Sequence, residues 1–288
     1  MIEYIILLSI AFIGLVAGSF TDLKTREVPD WINFSLIASA LGVRMIYSAI
    51  SFDWSFLIEG LIGLVFCVVL GYLTFYTGQW GGGDSKMLMA LGALIGLKLE
   101  VTSLLFGLLI NILFAGAVYG LVYSIVLAWL NRKKFLRRFE EIRNDKNIIR
   151  TRKFFIIFSI LTVILSFIFI KEPVLIVLIV FIVLFAYLSF YMVIFVKAVE
   201  HSAMYRFIDP ASLTEGEWIA QNYYNKRKKI CGPKDLGIGK DQINQLIALK
   251  RQGKIKNVKI KVGVPFVPSF LLAYIITLIL GNWWIGFF

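Results

Sequence analysis

Long apolar runs separated by polar breaks occupy most of the chain, at about 2–20, 32–50, 55–77, 87–97, 101–130, 154–170, 174–196 and 264–287. Most are long enough to cross a hydrocarbon core of roughly 30 Å as helix. The pattern therefore predicts an all-α polytopic membrane protein with about eight transmembrane helices. Two polar intervals interrupt it at length. Residues 131–153, NRKKFLRRFEEIRNDKNIIRTRK, hold ten basic and three acidic side chains and suit a helix or hairpin lying on anionic headgroups, which makes membrane lipids an expected partner. Residues 197–263 read as a small α+β cytoplasmic segment before the last helix. There TEGE (Thr214 to Glu217) has a capping-box pattern, Asp241 to Leu249 has helical spacing, and VKIKV alternates like a strand. The segment is too short to promise an independent core.

Charge placement orients the runs. Of the 30 Lys and Arg, 27 fall in the alternate loops 21–31, 78–86, 131–153 and 197–263, leaving Arg44, Lys98 and Lys171. The positive-inside rule makes those loops cytoplasmic and both termini external. A net charge of +12 spread in this way argues for topology and against a nucleic-acid partner. Arg44, near an external helix end, is expected to snorkel to the headgroups. The N-terminal MIEYIILLSI lacks a basic n-region and its apolar run continues to about Phe20, so the first segment is expected to be retained. A composition 59% hydrophobic and 17% charged excludes an ordinary soluble domain. Cys67 lies in an apolar run and Cys231 in a cytoplasmic loop, so neither a disulfide nor a metal site is expected.

One stretch does not suit a plain span. In GQWGGGDSKMLMALG, residues 78–92, three glycines and an aspartate precede a run of only 13 residues, Ser85 to Leu97. That run makes about 20 Å of helix, short for a crossing. Irregular backbone at membrane depth survives only inside protein or beside water. Gly81, Gly82 and Gly83 meet this need by permitting φ > 0 and close backbone approach. Asp84 alone reads equally as a helix cap. Asp22, just past the cytoplasmic end of the first run, changes the balance. If the first and fourth helices pack together, two carboxyls meet and share a proton. The charged member then activates water while the protonated one polarises a peptide carbonyl.

Gly81-Gly82-Gly83-Asp84 matches the GxGD motif of intramembrane-type aspartic peptidases, and GGGDSKMLMALGALIG resembles the type IV prepilin and preflagellin peptidase version. TDLKTREVPDWI is similar to the segment around that family's other aspartate, and GVPFVPSFLLAYI (263–275) to its Pro-Phe approach to the last helix. LTEGEWIAQNYY and GPKDLGIGKDQI resemble the archaeal branch. The resemblance implies removal of the short basic leader of type IV pilin-like or archaellin precursors at the cytoplasmic membrane face, without metal or other cofactor. Asp22 and Asp84 carry over as the catalytic pair. Lys86 matches a basic position after the GxGD aspartate and equally serves topology. Glu27 and Asp30 lie in the adjoining loop; Asp30 is expected to cap the second helix, and both are candidates to attract a basic leader. On this reading residues 1–130 form a transmembrane catalytic bundle, 131–153 a basic cytoplasmic loop, 154–196 an additional transmembrane hairpin, 197–263 a small cytoplasmic segment and 264–288 a C-terminal transmembrane helix.

Two other classes compete. A transporter or channel would use membrane-border carboxylates for protons or cations, but would place charges near several midplanes, which here are almost uncharged. A non-catalytic assembly platform would use the glycines for packing alone. His201, the one histidine, has no companion ligands and reads as an interfacial side chain.

Overall fold

The computed structural model describes residues 2–100, 102–225 and 228–287 and divides into two compact units, residues 1–122 with 208–288, and residues 123–207. Among the described residues six helices are long and apolar enough to cross a membrane, against the about eight expected. Four of them start the chain or follow closely: α1 (Ile2–Thr25), α2 (Asp30–Ser51), α3 (Ser55–Tyr76) and, after a shorter helix, α5 (Leu104–Leu130). That shorter helix, α4 (Gly82–Ile95), has 14 residues, about 21 Å at 1.5 Å per residue. It replaces the expected fourth span.

The local sequence explains the breaks. The chain turns after α1 at Arg26, whose φ is +60°, and Pro29 then precedes α2 as its N-cap. Phe52, at φ +56°, ends α2 in the left-handed conformation. Asp30, expected to cap α2, is instead its first residue and makes no capping bond. Its carboxylate pairs with Lys86.

The core of the first unit gathers Leu7, Ala11 and Leu15 of α1, Ile32, Leu36 and Ala40 of α2, and most of α4. It is completed by Leu105, Leu108 and Ile112 of α5 and by Phe270, Ala273 and Tyr274 of α10 (Val267–Leu280). Nine of the 14 residues of α4 are buried. Its packing on α3 is backbone to backbone: a Cβ on Gly63 would fall 2.3 Å from the Gly92 carbonyl oxygen, and one on Gly92 would fall 2.4 Å from that of Gly63. Small residues permit such contact where apolar surroundings supply little hydrophobic drive between helices. The last apolar run, like the fourth, forms only a 14-residue helix, α10, and is not among the six.

The polar segment in this unit has a core of its own, contrary to the expectation from its length. Strands β2 (Trp218–Ile219) and β5 (Val258–Lys261) pair antiparallel, with Trp218 opposite Lys261 and Ile219 opposite Ile260. β3 (Tyr223–Asn225) and β4 (Lys228–Cys231) form a second antiparallel pair. Helix α9 (Lys240–Arg251) lays Ile243, Leu246 and Leu249 among Ile219, Ile230, Val258 and Ile260. The helical and strand patterns read from Asp241–Leu249 and VKIKV form as expected. TEGE starts no helix. It closes a turn in which the Glu217 carboxylate accepts the Thr214 N–H at 3.1 Å, with Gly216 at φ +92°.

The second unit takes in the end of α5, then α6 (Arg132–Arg143), α7 (Lys146–Phe169), α8 (Pro173–Val199) and all but the last residue of the strand β1 (Tyr205–Ile208). The basic interval is helix over most of its length, and α7 starts inside it, capped by the Asp145 carboxylate on the Asn147 N–H at 2.9 Å. His201 lies in a π-helical turn, edge-on to Tyr205. Cys67 and Cys231 are free and buried.

Candidate active site

The last turn of α1 carries Asp22 and the first turn of α4 carries Asp84, close enough for the charge of Asp22 to act on Asp84. Helix α1 runs to Thr25, so Asp22 lies inside its last turn rather than beyond it, and it is buried. The two helices close on one another at Gly18, where a Cβ would fall 2.6 Å from the Met87 methyl.

Backbone amides hold each carboxylate. Asp22 Oδ2 accepts the Val267 N–H at 2.9 Å. Val267 is the first residue of α10, so this amide is one of the donors that a helix start leaves without an internal partner. A helix N-terminus also complements negative charge. Pro268 at the second position costs α10 nothing. Arg26 fastens the same approach from the other side, its guanidinium donating to the Gly263 carbonyl.

Asp84 is the third residue of α4, not its cap. Gly81 is the N-cap, and the Asp84 carboxylate reaches back to accept the Gly81 N–H at 3.1 Å. Asp84 lies outside the six candidate spans. Burial pushes its carboxyl up to about 7, the charge of Asp22 adds to the rise, and the Gly81 bond opposes it. The two acids therefore sense one another electrically, and a carboxyl that titrates near neutrality is suited to proton transfer.

The glycines serve this geometry differently from expectation. None of Gly81, Gly82 and Gly83 has positive φ; the left-handed glycine of this loop is Gly78, at +70°. Close approach is their contribution. A Cβ on Gly83 would fall 3.3 Å from the Val28 nitrogen, so α4 starts directly against the α1–α2 connection. Trp80 covers the site from the side, with its ring centroid 5.9 Å from that of Phe266 and 5.2 Å from that of Phe270.

The other candidates fall around this pair without joining it. Lys86 bonds Asp30 and lies 5.9 Å from the Phe34 ring centroid. Glu27 is exposed and accepts the Thr214 hydroxyl at 3.2 Å. Beside it, burial and then the charge of Glu27 push the Glu217 carboxyl up, against its Thr214 bond. Among the described residues no group of three or more His, Cys, Asp or Glu could hold a metal ion. Sequence reasoning missed the Val267 amide, for which Pro268 was the one available signal, and it missed Arg44. That side chain is fully buried rather than snorkelling, and donates to the carbonyls of Ala93, Phe56 and Leu94.

Residues 9–125 match the type IV leader peptidase family, a stretch that contains Asp22, Asp84 and the glycines. The preflagellin peptidase of Methanococcus maripaludis strain C6 is 45% identical over 97 residues, 33% of this chain and 39% of that protein. That of Methanocaldococcus jannaschii is 41% identical over 83 residues, 29% of this chain and 35% of that protein. The Methanococcus voltae preflagellin peptidase is 35% identical over 89 residues, covering 30% and 37%. The chain thus spans less than two-fifths of the length of each relative, and the resemblance is to the archaeal branch of the family.

Proposed function

From a chain whose residues 9–125 carry the type IV leader peptidase pattern, we propose a membrane-embedded aspartic endopeptidase. It removes the short basic leader of archaellin or type IV pilin-like precursors at the cytoplasmic membrane face. The observation that supports this reading is that Asp22 and Asp84 lie within electrical reach of one another, with Asp84 held up to about 7 by burial and by the Asp22 charge.

The chemistry follows from two unlike carboxyls. Asp22, facing the start of α10, is the charged member and takes a proton from water as that water attacks the scissile carbonyl carbon. Protonated Asp84 donates to the carbonyl oxygen, so the tetrahedral intermediate forms as a neutral diol. On collapse the proton now on Asp22 passes to the leaving nitrogen, the C–N bond breaks, and Asp84 recovers its proton from the diol. Substrate must reach the pair as extended chain, and the absence of side chains at Gly81 and Gly82 leaves room for it, while Gly83 lets α4 pack on Val28. The catalytic machinery is assigned to the 1–130 bundle with the start of α10.

Incubating the purified protein with a precursor carrying a basic leader before an apolar helix, then sequencing the product, tests the proposal. A new N-terminus at the leader–helix junction is expected, and an intact precursor overturns it. The membrane face is tested separately. Single cysteines at Asp53 or Lys171 are expected to label from outside intact cells and one at Lys146 to stay protected; the opposite pattern puts the aspartates on the wrong side for a cytoplasmic leader.

A further inference from the structure

The far end of α4 carries a buried cation that the proposed chemistry does not use. A helix leaves its last carbonyls without internal partners, and the Ala93 and Leu94 carbonyls of α4 are met by one side chain. Arg44 of α2 donates from Nε to Ala93 at 2.9 Å and from Nη2 to Leu94 at 3.0 Å. Nη1 donates to the Phe56 carbonyl in the first turn of α3, and the guanidinium carbon lies 4.5 Å from the Phe56 ring centroid.

Two glycines make room for this plane. A Cβ on Gly60 would fall 2.3 Å from the Arg44 Cδ, and one on Gly96 would fall 2.6 Å from Nη2. Gly96, at φ +74°, is also the residue that ends α4. Closing a helix needs no charge, since a glycine in the left-handed conformation can redirect the last amides. Here a positive charge faces the negative end of the helix dipole, and its rigid fork ties α4 to α3 from a third helix, α2.

We infer that Arg44 is a positioning residue for the peptidase reaction: it fixes the axial height and rotation of α4 and thereby places Asp84 against Asp22. Ten residues of helix join Asp84 to Leu94, about 15 Å of rigid rod, so displacement at the pinned end is carried to the carboxylate. The Asp84 end is held by packing, at Gly18 against Met87 and at Gly71 against the Ser85 carbonyl, with no buried cation on its carbonyls among the described residues. Lys86 and Asp30 are an exposed pair, and Gly83 contributes one close contact with Val28.

The inference rests on the aspartic peptidase reading, and two readouts separate them. In cleavage assays corrected for the folded, detergent-stable fraction, Arg44→Met is expected to lower kcat at least tenfold, with KM changed less than threefold. Its alkaline pH limb should move down, because Asp84 leaves the field of Asp22. Arg44→Lys, which keeps the charge but loses the fork, is expected to fold and to lose about threefold in kcat. Independently of activity, the rate of disulfide formation between cysteines in an Asp22→Cys, Asp84→Cys protein is expected to fall at least tenfold when Arg44→Met is added, and about threefold with Arg44→Lys. Wild-type kcat and pH profile in folded Arg44→Met overturn the inference, as does an unchanged cross-linking rate. If Arg44→Met does not fold, parity of Arg44→Lys with wild type in both readouts overturns it. A wild-type protein that cleaves nothing while its cross-linking still depends on Arg44 sinks the peptidase reading alone.

Discussion

Helices α4 and α8 are both apolar runs, yet they live in different solvents. In α8, 27 residues long, only Ile194, Ala198 and Val199 are buried, all near its C-terminal end, while Phe181 and Phe185 stand exposed. In α4, nearly half that length, nine residues are buried. A helix of 27 residues extends about 40 Å, so it satisfies its own backbone across a hydrocarbon core. A 14-residue helix cannot, and both its ends need protein. Asp84 and Gly81 attend to one end of α4, and Arg44 to the other. A helix sheathed in neighbours tolerates a carboxylate, three glycines and a facing guanidinium, whereas one bathed in lipid does not.

The largest effect should come from Asp84, the carboxyl that the sheathed helix carries, and from Asp22 of α1, whose charge acts on it. Asp22→Asn and Asp84→Asn are each expected to cut precursor cleavage at least about a hundredfold, the usual scale of lost acid–base catalysis, with membrane insertion unchanged. An amide neither accepts the proton from water nor supplies a carboxylic proton. Full activity in either variant would make α4 and α8 alike in having no chemical role.

Close packing at the start of α4 gives the next effect. A Cβ on Gly83 meets the Val28 backbone, whereas one on Gly120 of α5 meets nothing within 4 Å. Gly83→Val is therefore expected to lower turnover per folded molecule at least about tenfold, roughly 1.4 kcal/mol in the barrier, while Gly120→Ala leaves it unchanged. Near-normal turnover in Gly83→Val would reduce the glycines to packing devices.

These contrasts were only partly legible beforehand. Apolar periodicity located α1, α2, α3, α5, α7 and α8, because a lipid-facing helix must be apolar along its whole length. It could not tell that the helices there, α4 and α10, are only 14 residues long, since an apolar run looks the same whether protein or lipid surrounds it. The nearness of Asp22 to Asp84 could be anticipated because both carboxylates fall at the same membrane level, one at the end of the first run and one before the fourth. The Val267 amide that holds Asp22 was not, because a main-chain donor leaves no residue-type signal. Arg44 was misjudged for a related reason. Its position suggested the headgroups, but its acceptors are backbone carbonyls of α4 and α3, and the clearance for it comes from Gly60 and Gly96. The core formed by α9 and its strands escaped because length alone underestimates what well-spaced residues such as Ile243, Leu246 and Leu249 can bury.

The environment of α4 also sets a pH dependence. On the proposed mechanism Asp84 serves as the acid while protonated, and its carboxyl is raised to about 7. Cleavage efficiency, kcat/KM, should fall about tenfold per pH unit above that value, and it should also fall in acid once Asp22, the base, is protonated. Stability follows the same sign. A carboxyl whose folded pKa lies above its unfolded value stabilises the fold fully below the unfolded value, and that contribution is lost as pH rises through about 7. Thermal unfolding in detergent should therefore show wild type losing stability between about pH 4 and 7, with the loss much reduced in Asp84→Asn. A wild-type rate still rising at pH 8 would mean that Asp84 is not the proton donor.

The smallest expected effect is the one that tests the other half of the comparison. Phe181 and Phe185 of α8 are 67% and 72% exposed, so truncating them removes contacts with lipid rather than with protein. Alanine is as good a helix former as any residue, and substitutions away from packed features usually change stability by no more than about 0.5 kcal/mol. The Phe181→Ala, Phe185→Ala double variant should thus cleave precursor within about twofold of wild type and unfold in detergent at nearly the same temperature. A large loss of either would mean that α8 is not bathed in lipid but covered by a protein surface, and the hairpin would then share the sheathed condition of α4 instead of contrasting with it.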